Sequence, residues 1–406
     1  MRVLHVLPSV APSYGGPSAA LIGLSRALAT RGVYSETVTT DLGYAEGSLP
    51  CDGRLTEDRN MRVRYFPRLF SQWLPRDFAL SPQLGRWLKV NVANYDIVNI
   101  HGLFNYPSSM AAAVAYKAGV PYIIRPCGML DPWCLRQRRM KKRLYLRLYD
   151  DQVLRRAAAI SFTTDEEARV AYKVSPTPTS VVIPLGVDQV NESNPETVPL
   201  PTGLGKQIIL FLSRIDQKKG LDLLLLALAR LRQVRDDFLC VIAGNGSAAY
   251  EAKIKNEVYA NNLEGWVHFT GFVEGKRKQQ LLKNAACFVL PSYQENFGVS
   301  VVEAMSAGCP VIISDQVNLH KEVSAAHAGW VIHCDADELF RALNRILSDE
   351  TSRRVMGTNG QTLAREKYSW GNISRQVLSL YEICVRRHHC RDFPDLDTSQ
   401  KERVIS

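Results

Sequence analysis

Apolar and polar positions along the chain fall into a repeated rhythm of short apolar run, loop and helical stretch. Val3 to Leu7 is the first run. Gly15 and Gly16 follow it, then Pro17 opens a pattern that puts Leu21, Leu24 and Leu28 on one helix face, with Gly32 placed to end the helix. Further β-type runs are Val63 to Phe66, Ile97 to Ile100, Tyr122 to Ile124, Ala159 to Phe162 and Val181 to Ile183, with helical stretches between most of them. Alternation of this kind predicts parallel sheets covered by helices.

The rhythm breaks between Asn191 and Gly205, where Asn194, Pro195, Pro199, Pro201, Gly203 and Gly205 give a linker composition. It restarts at the buried-strand pattern Ile208 to Leu212. A helix follows from near Lys219, and strands are expected at Leu239 to Ala243, Val267 to Thr270, Cys287 to Leu290 and Val311 to Ile313. The expected organisation is an α/β domain over residues 1–190, a linker over 191–205 and a second α/β domain over 206–370. A terminal helix (371–390) and a loose polar tail (391–406) complete it. Ligands of open α/β sheets bind beyond the carboxyl ends of the strands, so the loops after the strands are where chemistry is expected.

Composition narrows the class without naming it. The 406 residues are 46% hydrophobic and 22% charged, which excludes a largely disordered or fibrous chain. The longest wholly apolar candidate, Leu223 to Ala229, stops at Arg230, far short of the roughly 20 residues that span a bilayer. Met1 to Pro8 carries one basic residue and no small-residue cleavage site after it, so a strand fits better than a signal peptide. The 9 cysteines are scattered, with no Cys-x-x-Cys, which indicates neither a zinc ribbon nor a disulfide framework and suggests a reducing, cytoplasmic setting. Of the net charge of +10, seven units fall between Arg136 and Arg156, where nine basic residues face only Asp150 and Asp151. Leu144, Tyr145, Leu148 and Tyr149 give that stretch an apolar side. It reads either as a solvated helix packed by its leucines or as a peripheral contact with an anionic membrane. No nucleic-acid recognition module accompanies it.

The most informative segment runs from Glu295 to Pro310. Val301, Val302, Ala304 and Met305 suit a short buried helix starting near Gly298, with Gly308 to end it. A glycine at a helix start lets phosphate approach free backbone N–H groups, where the macrodipole adds about half a positive charge. Glu295 before the helix and Glu303 within it can present carboxylates to neighbouring sugar hydroxyls. Ser213 to Gly220 follows the first strand of the second half, and Arg214 and Lys219 there could clamp a diphosphate.

These residues resemble the Glu-x7-Glu element and the Arg-x4-Lys-Gly element of the retaining family 4 glycosyltransferases, bacterial polysaccharide-type members included. Asn296 stands where the family commonly has glycine. The resemblance implies the GT-B fold, two Rossmann-like doubly wound parallel-sheet domains facing a cleft. It implies a hexosyltransferase using a nucleoside diphosphate sugar, UDP or GDP form left open, and a saccharide or lipid-linked saccharide acceptor. No metal and no other cofactor are implied, and the last helix is expected to return to the first domain. Residue by residue, Glu303 matches the ribose ligand. Glu295 matches the donor-sugar ligand, and Asn296, Phe297, Gly298 and Val299 the backbone that serves sugar and diphosphate. Gly15 and Gly16 match a glycine-rich loop facing diphosphate or acceptor, and His101, at a strand end, a histidine near the anomeric centre. Gly244 and the loop at Phe272 match positions beside the nucleotide, and Arg125 to Trp133 an acceptor-facing loop. Leu185 departs from the family, which commonly has Asn there. Two rivals remain: a nucleotide-sugar epimerase of the same fold, and a binding subunit without catalysis.

Overall fold

The computed structural model describes residues 1–45, 47–69, 75–136, 139–175, 179–189 and 206–392; the expected linker and residues 393–406 of the expected tail lie outside them. The chain divides into two compact units. The first joins Met1–Gly186 to the segment from Trp370 onward, and the second is Val187–Ser369.

The first unit is built on strands β1 (Arg2–Val6), β2 (Tyr34–Thr40), β3 (Leu55–Asp58), β4 (Met61–Phe66), β5 (Ile97–His101), β6 (Tyr122–Arg125), β7 (Ala159–Phe162) and β8 (Ser180–Val182). They form one sheet in the order β3-β4-β2-β1-β5-β6-β7-β8, parallel throughout except where β3 runs antiparallel on the edge. One face carries Val3, Ile97, Ile123 and Ala159 and is covered by Leu24 and Leu28 of helix Gly16–Ala29. Ile373, Val377 and Tyr381 of the terminal helix Trp370–Asp392 complete that cover. Each fully buried aliphatic side chain of this kind contributes about 1.5–3 kcal/mol. The ring of Trp370 lies where a Cβ on Gly23 or on Gly186 would collide with it, so two glycines make room for the helix start.

The second unit holds β9 (Gln207–Leu212), β10 (Phe238–Ala243), β11 (Val267–Gly271), β12 (Ala285–Leu290), β13 (Val311–Ser314) and β14 (Gly329–Ile332). Its order is β11-β10-β9-β12-β13-β14, all parallel. In both units the strand order reverses beside the first strand, the position at which open α/β sheets leave a crevice for ligand.

Three strands were not foreseen from the apolar pattern: β2, β3 and β14. β2 reads Tyr-Ser-Glu-Thr-Val-Thr-Thr, and Ser35, Glu36, Thr37, Thr39 and Thr40 are nevertheless buried. Several of its polar groups are satisfied locally, although the Thr39 hydroxyl has no partner. Thr40 Oγ1 donates to the Pro8 carbonyl at 2.6 Å, Glu36 pairs with Arg64, and Tyr34 donates to Glu36 at 3.1 Å.

Candidate functional site

In the second unit the site is assembled from strand ends. Past β9, Ser213 N–H donates to the Ala243 carbonyl at 3.1 Å and Ile215 N–H to Asn245 at 2.9 Å; past β10, Gly244 N–H donates to Gly271 at 2.8 Å. The three loops are thereby laced into one floor. Gly244, at φ +145°, has no space for a side chain, because a Cβ would overlap the Ser213 carbonyl. Phe272, just after β11, holds its ring half-exposed beside this floor.

The Arg214–Gly220 turn sets two cations. The Asp216 carboxylate accepts from Lys218 N–H at 3.1 Å and so caps the short 3-10 turn Gln217–Lys219. Gly220 then turns into the left-handed region at φ +70° and starts helix Leu221–Leu231. This geometry leaves Arg214 exposed and Lys219 buried, with the Lys219 ammonium ion-paired to Glu295 Oε2. Glu295 is held by its backbone on both sides: its N–H donates to Gln316 at 3.0 Å, and its carbonyl accepts from Asn318 at 3.1 Å. Burial would raise the Glu295 carboxyl, but Lys219, aided by Lys218 and Arg214, holds it below its ordinary range. Lys218 belongs to this cluster as well. Burial, then the like charges of Lys219 and Arg214, push its ammonium down.

Gly298, at φ +76°, caps helix Val299–Ser306 and leaves the backbone of Asn296 to Val299 as the approach to the helix start. Phe297 is buried and sets its ring edge-on to Tyr368 at 5.8 Å. One turn into the helix, Glu303 Oε1 accepts from Lys278 Nζ at 2.8 Å, Lys278 lying on helix Gly275–Asn284. Both carboxylates of the Glu-x7-Glu element are thus paired to lysines. Asp335 and Asp337 are spent on structure: Asp335 caps a helix by accepting from Glu338 N–H at 2.8 Å, and Asp337 pairs with Arg230. Among the described residues no cluster of His, Cys, Asp and Glu is arranged to hold a metal ion.

The remaining candidates belong to the first unit. Gly15, at φ +83° and ψ −139°, a conformation open essentially to glycine alone, caps the helix that Gly16 begins. His101 ends β5 and is 4% exposed, its Nε2 lying 3.3 Å from His5 Nδ1. Burial and then Arg125 press His5 down to about 3; burial, then His5 and Arg125, press His101 well below its usual value. Both imidazoles are therefore neutral at physiological pH. The sequence reading missed His5, although its place two residues after Val3 on an alternating strand puts it on the same face. The Arg125–Trp133 loop is tied down by Gly128 N–H donating to Glu167 at 2.6 Å. In the basic stretch, Tyr145 turns inward, its ring 5.8 Å from that of Phe78 and 6.4 Å from that of Phe104, whereas Met140, Leu144 and Tyr149 face outward. Leu144 does not pack the stretch onto the sheet; the side chain of Leu148 lies outside the described ones.

Comparison with known proteins agrees with this architecture. Residues 196–363 match the family described as glycosyl transferases group 1, and residues 15–186 match the glycosyl transferase 4-like domain. The chain belongs to the group 1, family 4 glycosyltransferases. An uncharacterized glycosyltransferase of Methanocaldococcus jannaschii is 31% identical over 201 residues, 48% of this chain and 51% of that protein, so the match spans about half of the relative. The D-inositol 3-phosphate glycosyltransferase of Jonesia denitrificans is 24% identical over 94% of this chain and 95% of its own. Anabaena HepE, solved in complex with UDP-glucose, superimposes with a TM-score of 0.72 at 18% identity, covering 93% of this chain and 98% of that one. The fold is GT-B.

Proposed function

We propose that this protein transfers a hexosyl group from a nucleoside diphosphate sugar to a hydroxyl acceptor, with retention of configuration. The observation that carries the reading is the Lys219–Glu295 ion pair beside the Gly298-capped helix start. A cation for diphosphate, a carboxylate for sugar hydroxyls and free N–H groups stand together there at the carboxyl ends of parallel strands. Arg214 and Lys219 balance the charge that develops on the leaving diphosphate. Glu303 takes the ribose hydroxyls, its carboxylate held in place by Lys278. His101, as a neutral imidazole, offers hydrogen bonds to the sugar without adding charge. In the step itself the bond from the anomeric carbon to the diphosphate oxygen breaks and a bond to the acceptor oxygen forms on the same face. The acceptor proton passes to the departing diphosphate. No metal is required, since the cations of the site are its own side chains.

The acceptor is a saccharide or lipid-linked saccharide of a cell-surface glycan, reached from the cytoplasmic side, with the basic stretch Arg136 to Arg156 resting on anionic lipid. Among the described residues no helix is long and apolar enough to cross a membrane.

The deciding experiment is a screen of nucleoside diphosphate sugars by thermal shift, UDP-glucose first because HepE was solved with it. A product assay with and without added acceptor follows. Transfer that needs acceptor supports the reading. Isomerised free donor without acceptor would make the protein an epimerase, and stabilisation without any turnover would make it a binding subunit.

A further inference from the structure

The helix-covered face of the first sheet changes character toward its carboxyl edge. In β-strand alternation the apolar positions Val3, Ile97, Ile123 and Ala159 are followed two residues on by His5, Asn99, Arg125 and Ser161. His5 pairs in register with Asn99, and His101 with Arg125. A polar layer is thus built into a buried interface, and Arg125 is its one permanent charge.

Arg125 is 8% exposed, and neither its Nε nor its Nη2 has a hydrogen-bond partner. Among the described residues no carboxylate pairs with it. A guanidinium has donors only and keeps its charge at any pH a protein meets. A buried charge left uncompensated is strongly unfavourable. The two neutral imidazoles nearby cannot supply the missing negative charge.

Arg125 lines a cavity of about 10 Å³ together with Asn99, Ser161 and Tyr381, closed by apolar side chains that include Leu24 and Val377. Tyr381 comes from the terminal helix. Its oxygen accepts from Asn99 Nδ2 at 2.5 Å, which leaves its own O–H free to donate. Guanidinium, phenol and the Ser161 hydroxyl therefore supply donors around one small space. The acceptors in that lining are the unpartnered Asn99 Oδ1 and the Ser161 hydroxyl, which can donate as well. The volume admits one water-sized species and excludes phosphate or a carboxylate ligand. Water would occupy the space but leave the charge.

We infer that this cavity binds a single monatomic anion, chloride, between Arg125 on the sheet and Tyr381 on the terminal helix. The ion neutralises the guanidinium and bridges the two elements, so its binding is read as stability of the first unit.

The test uses the full chain. Thermal unfolding is followed in sodium chloride, sodium bromide and sodium gluconate at matched ionic strength. Chloride and bromide should raise Tm by about 3–5 °C for each tenfold increase above the dissociation constant, and gluconate should not. Arg125→Gln should lose the halide response, and the milder Ser161→Ala should weaken it should the first variant fold poorly. A crystal grown in bromide should show anomalous scattering between Arg125 and Tyr381. Equal Tm in chloride and gluconate with no bromide peak would mean that water alone fills the cavity. A halide response unchanged in both variants would place the ion elsewhere. Either result overturns the inference.

Discussion

At the scale of single residues, the site consists of charges neutralised in pairs by groups distant in sequence. Glu303 is the clearest: Lys278 holds one of its oxygens at 2.8 Å. Replacing Glu303 by Ala should weaken binding of the free nucleotide by roughly 1.5–3 kcal/mol, the worth of a charge-assisted hydrogen bond, while urea unfolding stays cooperative. Calorimetry that shows unchanged nucleotide affinity would remove the ribose assignment. Asp150 makes a different kind of prediction. Burial raises its carboxyl to about 6, against hydrogen bonds from Phe104 N–H at 3.1 Å and Ser109 Oγ at 3.3 Å that pull it the other way. A carboxyl whose folded pKa lies above its unfolded 3.8 binds its proton more tightly when folded, so its contribution is fully present below 3.8 and is lost as pH rises through about 6. Asp150→Asn should therefore gain on the wild type by on the order of 1–3 kcal/mol between about pH 4 and pH 7, read by urea denaturation at the two values. The Glu295 to Pro310 stretch could be read in the sequence because its chemistry is local. The partners Lys278, His5 and Tyr381 could not, because nothing in the neighbourhood of Glu303, His101 or Asn99 says which strand or helix will arrive beside it.

At the scale of elements, apolar runs revealed most strands of both sheets but missed the short strands β3 and β14 and also β2, whose burial is largely polar. A strand of serine, glutamate and threonine looks like a loop until Arg64 and the Pro8 carbonyl are known to sit next to it. Turns were more legible, since Gly220 and Gly298 stand where left-handed backbone is needed. A Cβ on Gly220 would overlap the Pro291 carbonyl. Gly220→Ala should thus cost at least about 1–2 kcal/mol for the backbone alone and shift Lys219 away from Glu295. The check is a lower urea midpoint together with weaker diphosphate binding. The basic stretch carries a prediction of its own. With Met140, Leu144 and Tyr149 outward, the protein should sediment with anionic liposomes at low salt, stay in solution with neutral ones and be released at high salt. Exchanging Arg138, Arg139, Lys141 and Arg143 for Gln should abolish this. Lys142 is spared because it donates to the Cys134 carbonyl at 2.6 Å. Wild-type protein left in the supernatant would make the stretch a solvated helix.

At the scale of the whole molecule, the repeated strand–loop–helix rhythm made the two α/β halves readable, because the strands of each sheet come from one continuous stretch of chain, even though the terminal helix completes the cover of the first. If Arg214, Lys219 and a helix start carry the diphosphate, transfer should persist after exhaustive chelation, and loss with EDTA restored by Mg²⁺ would contradict that donor site. The first unit is closed by Ile373, Val377 and Tyr381, residues that leave the ribosome only after the whole of Val187–Ser369 has been made. At typical synthesis rates the apolar face around Leu24 and Ile97 must wait roughly 10–40 s for its cover. The unit begun first is finished last, and a nascent chain stalled before Trp370 presents an uncovered sheet to whatever chaperone meets it.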